Sequence, residues 1–267
     1  MLNAKTITSP HNQQVKDAVK LRDRRARNRK KLIIIDGLKE TLRAVEAGVV
    51  VAHCFVCSAE LAQDKQDQIS ALAHQIDAQF YDLPLGLFQK IAYGESTPEI
   101  IAVAEAPHRS LAQMPFGTQS LIGVIESVEK PGNVGAVIRS ACGAGLNGII
   151  VADPGTDLFN PNIIRASLGS VFSMPVCAAD SQQVLDWLKQ HDFQIVAARV
   201  DAQIRYDSID YRQATAFVLG SEARGLSAVW SKNDITPVSI PMVGGIDSLN
   251  ISASAAVLFY EALRQRS

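Results

Sequence analysis

Three consecutive runs decide the fold: Leu121-Ile122-Gly123-Val124-Ile125-Glu126, then Pro131-Gly132-Asn133-Val134-Gly135-Ala136-Val137-Ile138-Arg139-Ser140, then Gly148-Ile149-Ile150-Val151-Ala152-Asp153. The first stays uncharged until Glu126, as a strand buried on both faces of a parallel sheet must. The second reads as a loop entering a helix over 134–144, and the third as a strand over 148–152. Further along, a helix over 181–190, strands over 193–199 and 215–219 and a final helix over 250–265 continue the alternation. The C-terminal part is therefore α/β.

Working back from Leu121, residues 107–119 lose periodicity and collect Pro and Gly, the mark of an interdomain linker. Residues 1–106 alternate again on a smaller scale. A basic helix over 10–31 precedes the strand Leu32-Ile33-Ile34-Ile35. Helices over 38–47 and 59–78 are interleaved with strand-like runs over 50–57 and 79–83. A short helix over 84–92 and the run Ile100–Ala104 close a small α/β domain. Domains at 1–106 and 120–267 follow.

Composition bounds the function. The 267 residues are 47% hydrophobic and 20% charged with a net charge of −1, so the whole chain is no generic polyanion binder. Locally it is otherwise: Lys16, Lys20, Arg22, Arg24, Arg25, Arg27, Arg29, Lys30 and Lys31 face only Asp17 and Asp23 within one stretch. Such a cluster is either a solvated charged face or a footprint for nucleic-acid phosphates. Four cysteines are too few for a disulfide scaffold. Cys54 and Cys57 form a CxxC, but within a strand positions three apart face opposite sides. The five histidines have no metal-ligand spacing, so reduced structural thiols and no metal site are expected. No run approaches the ~20 apolar residues of a membrane span and no signal core opens the chain, which points to the cytoplasm.

Gly143-Ala144-Gly145-Leu146-Asn147-Gly148 matches the GxGxxG dinucleotide fingerprint, yet it closes a helix and opens a strand, the reverse of the order a pyrophosphate needs. The unit from Leu121 to Asp153 does imitate a dinucleotide-binding βαβ with its ribose-binding acid. An NAD-dependent dehydrogenase is thus one alternative, weakened by Glu126 and Glu129 in the loop where a pyrophosphate would sit.

Chemistry concentrates in three segments. In the first, Asn133 stands where a helix N-cap belongs, and Arg139 is the only charge on an otherwise uncharged helix, where it needs an anion or an exit to solvent. In the second, Phe217-Val218-Leu219-Gly220-Ser221-Glu222-Ala223-Arg224-Gly225-Leu226, an apolar strand runs into a glycine-bounded polar turn at its carboxyl end. Ligands of α/β sheets bind at such ends. In the third, Ile240-Pro241-Met242-Val243-Gly244-Gly245-Ile246-Asp247-Ser248-Leu249-Asn250, an extended segment passes a glycine pair and enters a helix rich in Ser and Ala; Ser248 and Asn250 are cap-type residues.

Jointly the three segments resemble the motifs of the SpoU (TrmH-like) branch of the SPOUT RNA methyltransferases, over residues 120–267 closely and 1–106 more loosely. The resemblance implies a C-terminal parallel-sheet SPOUT domain with a deep trefoil knot, preceded by a substrate-binding domain. It implies S-adenosylmethionine held at Leu219, Gly220, Ile240, Met242 and Leu249, and a catalytic set of Arg139, Asn133, Glu222, Ser248 and Asn250. Arg165, in a stretch that is also family-like, is expected at the RNA together with Arg22, Arg24, Arg25, Arg27, Arg29 and Lys30. A homodimer through the C-terminal domain is implied as well.

The expected reaction is transfer of a methyl group to a ribose 2′-hydroxyl of a structured RNA, rRNA ahead of tRNA. In-line displacement demands alignment of three atoms and removal of a proton. Asn133 and Ser248 suit the orienting role, and Arg139 can hold a phosphate bidentately. The resemblance implies Arg139 as the general base; a guanidinium pKa above ~12 opposes that role, with an RNA phosphate or water as the alternative proton acceptor, so Arg139 is expected to be essential with its proton role open. Lys130 replaces the acidic residue common before Pro-x-Asn in the family. The other alternative, an RNA-binding protein with an inactive knot, would be expected to have lost Asn133, Arg139 or Asn250; all are present.

Overall fold

In the computed structural model, which describes residues 2–94 and 97–267, the basic stretch at 10–31 is not one helix. Behind a short strand β1 (Ala4–Thr6) it forms α1 (Gln13–Lys20) and α2 (Arg24–Lys30). Asp23 makes the break: its carboxylate accepts the N–H of Arg25 at 2.8 Å and of Ala26 at 3.2 Å, so a new helix is capped there. The chain continues through β2 (Leu32–Asp36), α3 (Leu38–Glu46), β3 (Val51–Val56), α4 (Gln63–Gln75), β4 (Gln79–Asp82), α5 (Leu85–Ile91) and β5 (Ile101–Glu105). These strands form a mixed sheet in the order β1-β4-β3-β5-β2, with β5 antiparallel to both neighbours. Its core packs Ile34, Phe55 and Val103 of the sheet against Ala18 and Leu21 near α1 and Phe88 of α5.

The second sheet is built from β6 (Leu121–Glu126), followed by α6 (Pro131–Gly143) and β7 (Gly148–Ala152). Next come the short helices α7 (Pro161–Ala166) and α8 (Ser170–Ser173), then β8 (Val176–Ala179), α9 (Ser181–Gln190), β9 (Gln194–Ala198), β10 (Thr215–Leu219), β11 (Ile235–Val238) and α10 (Ile251–Arg266). All six strands are parallel, in the order β11-β9-β10-β6-β7-β8. Every residue of β6, β7 and β10 is buried, which explains their uncharged, non-alternating sequences. From β6 the chain winds outward through β7 to β8, then returns to build β9, β10 and β11 on the other side. The order therefore reverses between β6 and β10, and the carboxyl ends of the strands beside such a switch point are where ligands of α/β sheets bind.

Strands β8 and β11 have no counterpart in the sequence reading. β11 carries Pro237, which cannot donate to a ladder and is tolerated because this strand is the sheet's edge. At Gly123 on β6 the missing side chain makes room for α10 and β7: a Cβ there would lie 2.9 Å from Phe259 Cζ and 2.5 Å from Ile149 Cδ1.

By contacts the chain divides differently from the sequence-based partition. One unit takes the residues up to His108 together with Phe159–Ser173, and the other takes Arg109–Leu158 and Met174–Ser267. The excursion carrying α7 and α8 is anchored within the first unit by Arg43, whose Nη1 donates to the Leu168 carbonyl at 2.6 Å. No helix of the described residues is long and apolar enough to cross a membrane.

Candidate active site

Past the carboxyl ends of β6 and β10 three side chains from three segments meet. α6 starts one turn earlier than its sequence suggests, with Pro131 at its first position and Lys130 as the N-cap residue. Asn133 is therefore not the cap, and its amide is free for other partners: Nδ2 donates to Glu222 Oε1 at 3.0 Å. Asn250 is a true cap, its Oδ1 accepting the Ser252 N–H at 2.9 Å to begin α10. Its Nδ2 points the other way, donating to Glu222 Oε1 at 2.6 Å and lying 3.4 Å from Asn133 Oδ1. Glu222 is exposed, with one third of its side chain reachable by solvent and Lys130 Nζ at 3.5 Å. A carboxylate so oriented by two amides faces outward as an acceptor.

Beside this cluster lies a cleft of about 530 Å³. Leu219, Gly220, Ile240, Met242 and Leu249 all line it, as do Glu222 and Ser248. Gly220 is required by close approach. A Cβ there would stand 2.2 Å from the Gly225 carbonyl carbon, so only glycine lets the turn fold back to the Ser221–Gly225 bridge. Gly225, at φ 65°, completes the turn in the left-handed region. Arg139 is not brought into the cluster. It is exposed, six residues or about 9 Å of rise along α6 from Asn133. It makes no hydrogen bond or ion pair among the described residues, and its exposed side chain faces solvent.

Comparison with known proteins matches residues 120–260 to the SpoU rRNA Methylase family and residues 12–102 to the MRM3-like substrate binding domain. The chain belongs to the SpoU rRNA methylase family. It is 32% identical to the 23S rRNA (uridine(2479)-2′-O)-methyltransferase of Streptomyces viridochromogenes, over 98% of this chain and 93% of that protein. It is 28% identical to the 23S rRNA (guanosine(2553)-2′-O)-methyltransferase RlmP of Bacillus subtilis (strain 168), over 96% and 98%. Among solved structures, an RNA 2′-O ribose methyltransferase superposes with a TM-score of 0.87 at 38% identity, covering 98% of this chain and 99% of that one. The SpoU methyltransferase AviRb from Streptomyces viridochromogenes, in complex with AdoMet, also superposes at 0.87, with 29% identity over 96% and 98%.

A SpoU enzyme needs a seat for a ligand that is part flat and apolar, part zwitterionic. The cleft's donor set fits S-adenosylmethionine on those terms: apolar walls from Leu219, Ile240, Met242, Leu249 and Ile251, main-chain groups of the Gly220–Gly225 turn, and charged side chains at Arg199, Asp201 and Glu222. Arg199 and Asp201 follow β9 and were missed by the sequence reading, although the carboxyl end of a parallel strand is where such residues fall.

Glu126 was missed too. It is 2% exposed at the end of β6, and its carboxylate accepts three hydrogen bonds, from Ser227 N, Ser227 Oγ and Trp230 Nε1, at 2.7–2.8 Å, while the single hydroxyl proton of Ser181 is shared between its Oε1 at 2.7 Å and Asp153 Oδ2 at 2.6 Å. Removing a carboxylate from water costs several kcal/mol; donors worth ~1.5–3 kcal/mol each to a charged group offset it. The signal in the sequence was the single acid closing an uncharged strand.

The basic cluster needs correction. Arg22 is turned inward, its Nη1 and Nη2 on Asp36 at 2.5 and 2.7 Å, and its guanidinium 5.7 Å from the Tyr93 ring centroid. Arg27 is 3% exposed and donates to the carbonyls of Leu21 and Arg22. It satisfies the acceptors left over where α1 ends, a structural use of positive charge. Lys30 pairs with Asp17 at 2.8 Å. Of the residues expected at RNA, Arg24, Arg25, Arg29 and Arg165 are exposed. Among the described residues no group of His, Cys, Asp and Glu is placed to hold a metal.

Proposed function

We propose that this chain transfers the methyl group of S-adenosylmethionine to a ribose 2′-hydroxyl of ribosomal RNA, working in the cytoplasm as a homodimer with a knotted C-terminal domain. One observation carries the reading: the Asn133–Glu222–Asn250 cluster adjoins a cleft lined by all five residues expected at the cofactor. When bound, S-adenosylmethionine supplies an electrophilic methyl group on a sulfonium. The chain's own residues do the rest. The Gly220–Gly225 turn and residues of the 240–249 segment form walls of the cleft. Asn133 and Asn250 fix the Glu222 carboxylate, and Ser248 lines the same cleft, so these groups present oriented acceptors and donors to an incoming ribose. Arg139, unpaired on the exposed face of α6, is available for the RNA phosphate next to the reacting ribose.

The two relatives named above act on different nucleosides. The proposal is accordingly for the ribose, which both share. Support for self-association comes from Val243, Ile246, Tyr260 and Leu263, apolar side chains exposed on the 240–249 segment and α10.

Mass-spectrometric mapping of methylated riboses in a strain lacking this protein tests the reading. Loss of one 2′-O-methyl group from 23S rRNA is expected. An unchanged rRNA with a loss in tRNA would move the target, and no change in either would overturn the activity.

A further inference from the structure

Glu126 holds the far end of the cofactor turn. The turn begins where β10 ends, secured by the pairing of Leu219 with Ile125, and Gly220, Ser221, Glu222, Arg224, Gly225 and Leu226 line the cleft. Its next residue, Ser227, is gripped twice by Glu126, through the backbone N–H on Oε2 and the hydroxyl on Oε1, both at 2.7 Å. Trp230, 1% exposed, braces the same carboxylate at 2.8 Å. Because Gly220 and Gly225 stand in near contact, any drift of Ser227 changes the spacing of the turn and with it the cleft wall.

We propose that Glu126 is a positioning residue for methyl transfer: its carboxylate clamps Ser227 and sets the cleft-lining turn in its cofactor-receiving shape before the cofactor arrives. The inference rests on the SpoU reading of the cleft. A merely space-filling Glu126 would be replaced by Gln without consequence. A clamp would not, because a carboxylate only accepts whereas an amide turns one of its two positions into a donor. The Ser181 and Ser227 hydroxyls can rotate to suit, but the Ser227 backbone N–H and the Trp230 indole N–H cannot. E126Q must therefore lose one of the two.

The test uses the full chain and three readouts on E126Q: amide hydrogen exchange without cofactor, S-adenosylmethionine binding by calorimetry, and Trp230 fluorescence in a W187F background. Expected are exchange at Ser227 and its neighbours faster by about tenfold or more and a dissociation constant raised on the order of tenfold, as for loss of one charge-assisted hydrogen bond. The indole emission should shift, with exchange in the β2–β5 sheet unaltered. Unchanged exchange and affinity, or exchange raised equally across the C-terminal unit, would overturn the clamp. Should E126Q not fold, S227A, which keeps the backbone contact and loses the hydroxyl, must weaken binding several-fold; wild-type affinity would overturn it. Failure of the SpoU reading looks different: wild-type protein then binds no S-adenosylmethionine, while exchange in E126Q still reports the clamp.

Discussion

At the start of α10 one amide serves two masters: Asn250 Oδ1 caps the helix while Nδ2 holds Glu222. The two uses can be separated. N250D keeps an oxygen for the Ser252 N–H, so the cap, worth about 1 kcal/mol, survives. It places a second carboxylate against Glu222 and removes a donor worth ~1.5–3 kcal/mol. The thermal midpoint should stay within a few degrees of wild type while turnover falls about tenfold or more; equal loss of stability and activity would show that the contact with Glu222 is incidental. At this scale the sequence was legible wherever residue type alone sets chemistry, as for Asn250. It misled where the partner is remote. Asn133 reads as a cap because Asn usually is one, although Pro131, favoured at the first position of a helix, already signalled an earlier start. Nothing local to Arg22 or Arg27 announces Asp36 or the end of α1 as their partners.

Among the elements, β3 carries a titratable group in an unfavourable place. His53 lies edge-on to Phe55 and Tyr81, and its Nε2 is buried without a partner among the described residues. Burial holds its pKa below the ordinary value of 6.5, against a weaker opposing pull from Asp17. The folded state thus binds fewer protons than the unfolded chain below that value, and the stability this neutral ring permits, full above pH 6.5, is lost as pH falls. The thermal midpoint should drop between pH 7.5 and 5.5, and His53→Phe should flatten that slope; an identical slope in the variant would refute the assignment.

The CxxC in the same region is inert by the same physics. Burial raises Cys57 and pushes Cys54, like Cys177 on β8, up to about 12, and only Cys142 is exposed. Since the thiolate is the reacting species, iodoacetamide at pH 8 should label Cys142 and spare the other three in the folded protein. Long, uniformly apolar strands such as β6 and β10 were legible because burial on both faces leaves no alternative. β8 and β11, four residues each, were not, because their pairing with β7 and β9 rather than local pattern makes them strands.

Over the whole molecule, the basic helix α2 and the cleft sit on different units. The exposed arginines of α2 and Arg165 belong to the unit containing the first sheet, and the cleft belongs to the other. Replacing Arg25 or Arg29 by Ala should weaken RNA binding and lower the salt slope by about one phosphate contact each. Arg27→Ala should instead cost stability, read as a lower denaturation midpoint; a lost salt slope without lost stability would reverse that assignment. The partition itself was only partly legible, since the grouping of Phe159–Ser173 with the first unit depends on contacts such as Arg43 with Leu168, far apart in sequence. The cleft and Arg139 are proposed to methylate a ribose together. Incubation of wild-type and R139A protein with methyl-labelled S-adenosylmethionine and unmodified rRNA, followed by digestion to nucleosides, tests it most directly. Label is expected in a 2′-O-methylnucleoside with the wild type and none with R139A, although R139A still binds the cofactor; label on a base, or full transfer by R139A, would overturn the assignment.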